Sequence, residues 1–119
     1  MGSLEFTHQL HCLNALRKYT YREYYDGRDP LFDARADTIR AHADHCIEML
    51  RQTLMCHADT GLITYDWVAG YSTQYPDFST RHVCRDFPRV LRWAYDHQVG
   101  SPEERVVRLA DNVDLAEEP

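Results

Sequence analysis

The sequence lacks every common cradle for a nucleotide cofactor. It holds only five glycines, with no G-x-G-x-x-G and no G-x-x-x-x-G-K, so no backbone loop is available to receive a dinucleotide or a nucleoside triphosphate. Most flavin, nicotinamide and kinase chemistry is thereby excluded. No apolar run approaches the ~20 residues of a membrane helix, so the chain is expected to carry no membrane segment. The N-terminus has neither the basic segment nor the apolar stretch of a signal peptide, and Phe6 stands where a myristoylation motif has Ser or Thr. Positive charge is scarce too. Thirteen Lys and Arg against 19 Asp and Glu give a formal net charge of −6, which argues against a nucleic-acid partner. No C-x-x-C pair is present, so thioredoxin-like and zinc-ribbon readings have no support.

What is there fits one domain over residues 1–119, since 119 residues match the usual size of a single core. The periodicity predicts a small, mainly α domain. A first helix from about Ser3 to Tyr25 presents Leu4, Gln9, Cys12, Leu13, Leu16, Tyr19 and Glu23 on a broad face, and Asp26-Gly27 stops it. A second helix, capped by Asp33 or Asp37, runs to about Cys56 or His57. Its apolar face is Ile39, Ala43, Cys46, Ile47, Leu50 and Leu54, with Arg40, Asp44, Glu48 and Arg51 turned away. Residues 60–81 break helical period with Gly61, Gly70 and Pro76. There Leu62-Ile63-Thr64-Tyr65 and Trp67-Val68 read either as short strands or as ordered aromatic loop. Asp86 and Pro88 open a third helix with Val90, Leu91, Trp93 and Ala94 inward, ended by Gly100. Ser101-Pro102-Glu103-Glu104 has capping-box spacing for a fourth helix through Leu109, and the acidic tail 111–119 is expected to be loosely held.

Seven His and four Cys are the unusual entries, and their arrangement is a repeat. His8-Gln9-Leu10-His11-Cys12 returns 34 residues later as His42-Ala43-Asp44-His45-Cys46, and Leu16-Arg17 returns as Leu50-Arg51. Positions i, i+3 and i+4 share one side of a helix. His8, His11 and Cys12 therefore project together, as do His42, His45 and Cys46. Two such helices packed as an antiparallel pair bring four imidazoles and two sulfurs to one interface, the way helix bundles build metal sites. Neutral imidazole suits copper, zinc, iron and nickel. A solitary His pair on a helix is ordinary solvated surface; duplication is what favours a site. His57 and His82 could add a ligand, whereas His97 reads as a cation at a helix C-terminus.

Four cysteines allow three pairings. Cys46 and Cys56 lie roughly 15 Å apart along one helix, too far to bridge. This leaves Cys12–Cys46 with Cys56–Cys84, or Cys12–Cys56 with Cys46–Cys84, and a hairpin turning near residue 30 favours the first. The competing reading makes Cys12 and Cys46 thiolate metal ligands. The even count points to an oxidising compartment.

His8-Gln9-Leu10-His11-Cys12-Leu13-Asn14, His42-x-x-His45-Cys46 with Leu50-Arg51-Gln52, Met55-Cys56 and Ala58-Asp59, and His82-Val83-Cys84-Arg85-Asp86-Phe87 together resemble the UstYa-like family of fungal secondary-metabolite and mycotoxin biosynthesis. The resemblance covers about Leu4 to Trp93. It implies an oxidative tailoring enzyme associated with copper, acting on a peptide or small-molecule natural product. It also implies the secretory-pathway lumen behind an N-terminal anchor; a natively short form would instead be soluble and cytoplasmic.

Three readings follow. In the first, His8, His11, His42 and His45 hold copper (zinc being the other candidate) for oxidation beside an apolar pocket, since no other electron carrier is in view. In the second, no metal is involved, and the imidazoles act as general acid and base in a cyclase or dehydratase, with Asp59, Asp44 or a tyrosine assisting. In the third, the chain is a noncatalytic partner subunit of a biosynthetic enzyme. Asp59 either orients an imidazole or forms a turn. Arg17 and Arg51, turned away from the cluster, bind an anionic group or form ion pairs that dock the helices. Trp67, Tyr71 and Trp93 are pocket walls or core. A homodimer completing one site is a further possibility.

Overall fold

A computed structural model describes residues 3–98, 108, 110–114 and 116. It divides into two compact units, Met1–His82 and Val83–Pro119. In the first unit, α1 (Glu5–Tyr19) is followed by a single turn, α2 (Arg22–Tyr25), and a 3-10 turn at Pro30–Phe32. The long helix α3 (Ala36–His57) comes next, then a two-stranded sheet of β1 (Thr64–Asp66) and β2 (Tyr75–Asp77). The second unit contains α4 (Phe87–Asp96). The expected mainly α architecture is the one found.

The first helix is shorter than its apolar period suggests. At Thr20 the side-chain hydroxyl donates to the Arg17 carbonyl at 2.8 Å, and the Tyr21 N–H reaches Lys18 O, three residues back, at 2.9 Å. Both tighten the last turn, and Tyr21 leaves the helical region at φ −120°, ψ 35°. A local hydroxyl-to-backbone bond thus breaks the run that Gly27 was expected to end. Gly27 still matters: its φ of 68° lies where a side chain is disfavoured, and the chain reverses there. The half-buried Lys18–Asp29 ion pair ties the connection back onto α1. Asp29 also accepts from Leu31 N at 3.1 Å, capping the 3-10 turn.

α3 ends at His57 as its period requires, but its cap differs from expectation. The N-cap residue is Arg35, without a side-chain bond. Asp37 lies inside the first turn, where it accepts from Thr38 N at 2.9 Å and pairs with Arg35 at 2.8 Å. There a carboxylate complements the helix dipole instead of capping it. Ala58 closes the helix in the left-handed region, φ 37°, its N–H on Leu54 O.

α1 and α3 pack as an antiparallel pair. Their seam is Cys12, Ala15 and Cys46, flanked by Leu16, Leu31, Met49 and Leu50. Ile39, Ala43 and Phe32 complete the buried set. The small seam residues let the backbones approach closely. The apolar faces, however, are wider than one partner helix can cover: Leu13 is 57% exposed, Ile47 51% and Leu54 73%. In residues 60–81, Thr64 pairs with Asp77 and Asp66 with Tyr75; Trp67 and Val68 lie outside the strands.

In the second unit, Asp86 accepts from Arg89 N at 3.1 Å and Pro88 sits in the first turn of α4, as expected. The helix stops at Asp96, before Gly100, with His97 Nδ1 bonded to Trp93 O at 2.7 Å. Trp93 itself is 53% exposed. The expected fourth helix, Ser101 to Leu109, lies outside the described residues except at residue 108, and of the tail 111–119 only 111–114 and 116 are described.

Candidate metal centre

The duplicated motif produces a near-symmetric site. His8, the first imidazole of motif one, lies 5.4 Å from His45, the second of motif two. His42, the first of motif two, lies 5.5 Å from His11, the second of motif one. Cys12 and Cys46 occupy equivalent places in the buried seam, and Leu16 and Leu50 flank them alike. Two copies of one helix, packed antiparallel about a local two-fold axis, must produce this exchange of partners. Gln9 and Thr53 fix the register with a hydrogen bond of 3.0 Å.

All four expected imidazoles are therefore brought together, with both sulfurs beneath them. His8 and His42 are half-buried and His11 and His45 exposed. Among the described residues, one group places its donor atoms tightly: His8, Cys12 and His45, all within 4.8 Å of one another. His8 Nε2 stands 3.7 Å from Cys12 Sγ. Ligands at 2.0–2.3 Å from a tetrahedral ion stand roughly 3.3–3.8 Å apart, so a contraction of about 1 Å would close the set. The exposed His45 ring and half-buried His8 ring have room to make it. Nitrogen and sulfur donors together suit copper or zinc over calcium or magnesium.

The electrostatics of the cluster act most clearly on His42. Burial, followed by the neighbouring charges of His11, His45 and His8, lowers the pKa of His42 below that of an ordinary imidazole. Its ring nitrogens thus stay free of the extra proton to lower pH. Burial, with the Cys12 thiol second, pushes Cys46 up to about 12, so without a cation Cys46 behaves as a small apolar thiol. Glu5, 3.9 Å from His8 Nδ1, faces the same ring. In the sequence, its i, i+3 spacing to His8 is the signal that places it there.

All four cysteines are unbridged thiols in the structure, Cys12 and Cys46 buried, Cys56 and Cys84 exposed. His57 is turned to the Thr53 carbonyl at 2.8 Å, at the end of α3. Asp59 lies beyond α3, whose last residue His57 is about 18 Å along the helix from His45 at 1.5 Å per residue. It makes both of the contacts open to it: Gly61 N donates to Oδ1 at 2.8 Å, a turn, and Oδ2 meets His82 Nδ1 at 2.7 Å. The imidazole it orients is thus His82 and none of the four in the cluster.

Arg51 pairs with Glu48 on its own helix at 2.5 Å, a surface contact that docks nothing. Arg17 donates to Asn14 at 3.0 Å and to the Tyr25 hydroxyl at 3.1 Å. Arg40 holds Asp44 at 2.6 Å, which keeps that carboxylate engaged. Beside His42, the hollow lined by Ala15, Tyr19, Leu31, Ile39 and Ala43 measures about 10 Å³, which is near the size of one water and far below a substrate. Trp67 and Tyr71 are 73% and 58% exposed, rings on the surface instead of walls.

Residues 1–97 match the family model described as mycotoxin biosynthesis protein UstYa. The chain is 38% identical over 105 residues to UstYa family oxidase aprY of Aspergillus flavus, a match covering 83% of this chain and 31% of that protein. It is 36% identical over 107 residues to UstYa family oxidase phomYc' of Diaporthe leptostromiformis, covering 88% and 42%. A third relative, transacylase cctO of Talaromyces islandicus, is 38% identical over 103 residues, covering 81% and 34%. The chain thus spans between about a third and two fifths of the length of these relatives. No solved structure matches.

Proposed function

This chain belongs to the UstYa family, and on that premise we propose that it is an oxidative tailoring enzyme of secondary-metabolite biosynthesis whose metal is held by the paired His-x-x-His-Cys helices. The observation that carries the reading is the convergence of His8, Cys12 and His45 to within 4.8 Å, inside a ring of four imidazoles. Several relatives are oxidases by name, and the substrate class is a peptide or small-molecule intermediate. Copper bound by these residues would supply the one-electron and dioxygen chemistry that protein side chains lack.

The chain's own contributions are specific. His8, Cys12 and His45 would hold the ion, with His11 and His42 completing the ring from the equivalent positions. Low proton affinity at His42 keeps a donor ready at neutral pH, because metal binding and protonation compete for the same lone pair. The Cys12/Cys46 seam shields the inner side of the cluster from water, while the exposed His11 and His45 leave the outer side open to a substrate. The Glu5 carboxylate, 3.9 Å from His8 Nδ1, is too far for a hydrogen bond but places negative charge on that side of the ring, opposite the Nε2 that faces Cys12. With only a 10 Å³ hollow beside His42, the substrate meets the cluster at an open surface of the helix pair.

A non-redox reading is favoured by one finding, the relative named a transacylase. Four imidazoles at 5.4–6.4 Å spacing could equally relay protons in a cyclisation or dehydration. Turnover of a pathway peptide, followed with an oxygen electrode, separates the two. The oxidative reading requires oxygen uptake that chelation abolishes and copper restores. Product formation without oxygen, indifferent to chelator, would replace it with the proton-relay reading.

A further inference from the structure

The contacts at the far end of α3 form a chain of their own. Gly61 N fixes one oxygen of Asp59, and the other lies 2.7 Å from His82 Nδ1. On the opposite edge of the ring, His82 Nε2 lies 3.1 Å from the Thr80 hydroxyl. An ionised carboxylate only accepts, so Nδ1 carries the imidazole proton. In the neutral ring Nε2 is then the acceptor, and the Thr80 hydroxyl donates to it. A hydroxyl on a base, with the base oriented by a third group, is the arrangement that marks an activated nucleophile.

The surroundings support the assignment. Bonding from Gly61 N, then from His82, keeps the Asp59 carboxyl below the ordinary carboxylate range, so it stays an acceptor in neutral solution. A side chain at Gly61 would come within 3.1 Å of Asp59 Oδ1 and 3.5 Å of His82 Cε1, and the bare glycine lets the ring lie against the turn. Thr80 is half-buried, while His82 and Asp59 are open to solvent. None of the three residues belongs to the His-x-x-His-Cys cluster.

We propose that Thr80, His82 and Asp59 form a second chemical site, in which the Thr80 hydroxyl attacks an activated acyl group such as an ester or thioester. Thr80 Oγ1 forms a bond to the acyl carbon as its proton passes to His82 Nε2. The bond from that carbon to the leaving alcohol or thiol breaks, and the imidazolium returns the proton to the departing oxygen or sulfur. The products are an acyl-threonine and the free alcohol or thiol. An amine, alcohol or water then takes the acyl group by the same steps in reverse. No electrons are transferred, so neither metal nor oxidant is required.

The test is acylation of the full chain by p-nitrophenyl acetate with chelator present, followed by peptide mass mapping. The expected result is acetyl on Thr80, absent in Thr80→Val and retained in Thr80→Ser. Labelling in His82→Gln should be slower by roughly 100-fold or more, the usual contribution of a positioned base. Asp59→Asn should slow it as well, because an amide facing Nδ1 favours the wrong tautomer. Because Thr80→Val conserves volume and Thr80→Ser conserves the hydroxyl, their contrast separates chemistry from misfolding. Acetyl confined to lysines and the amino terminus, acetyl on His82 in place of Thr80, or an unchanged rate in His82→Gln would each overturn the proposal.

Discussion

Acidification should open the helix pair, and the structure sets the size of the effect. Imidazoles acquire charge as pH falls through the range around 6.5. His42 resists, because its folded pKa is lowered by burial and by its His neighbours. The unfolded chain therefore takes up that proton first, and stability is lost as pH falls below about 6.5 and onward to the lower folded value. Once charged, the rings at 5.4 Å and 5.5 Å repel. At 5.5 Å a unit pair costs about 0.8 kcal/mol if screened as in bulk water and ~3 kcal/mol at an effective dielectric of 20. Two of the four rings are exposed, so the lower end governs, about 1.5 kcal/mol for the two close pairs, with Glu5 offsetting part at His8. For a chain of this size that is a fall in Tm of roughly 6 °C. Thermal melts of the metal-free protein at pH 7.5 and pH 5 measure it. The double variant His11→Gln/His45→Gln removes one ring from each close pair, both at exposed positions, and should flatten the pH dependence. Equal Tm values at the two pH values, or a full loss in the double variant, would refute the reasoning.

Other consequences follow from the same geometry. Native thiol counting at pH 8 should find Cys56 and Cys84 reacting quickly and Cys12 and Cys46 only after unfolding, because the latter pair is fully buried and Cys46 is held as a thiol up to about 12; fast labelling of all four would contradict the packing. Ala58→Gly should raise stability by roughly 0.5–1 kcal/mol in chemical denaturation, since φ 37° is strained for a residue with a Cβ. Ile39→Ala should cost about 2–4 kcal/mol, because Ile39 is 3% exposed in a very small core and the existing 10 Å³ hollow would enlarge instead of collapsing.

The parts of this molecule that were legible in the sequence are those fixed by short-range geometry. The i, i+3, i+4 spacing puts His8, His11 and Cys12 on one side of α1, and the identical spacing from His42 does the same on α3. An antiparallel hairpin then requires the two motifs to face each other, and they do. Asp86 as a cap and His57 as the end of α3 follow from local chemistry alone. The break at Thr20 depended on a hydroxyl choosing a backbone carbonyl over solvent, a choice that apolar periodicity does not encode. Exposure of Leu13, Ile47 and Leu54 likewise escapes a helical-face reading, which says where apolar residues lie but not how much partner surface exists to cover them. The Asp59–His82 contact joins residues 23 apart across an irregular segment. Sequence could offer Asp59 an imidazole but could not say which one.

Whether the two His-x-x-His-Cys helices hold a metal ion together is decided by copper titration of the full chain, followed by desalting and metal analysis. The wild-type protein should retain stoichiometric copper. His8→Ala and His45→Ala should each lose it, with circular dichroism showing the helices intact. No retained copper on the folded wild-type protein, or undiminished binding in both variants, would mean that these helices hold no ion.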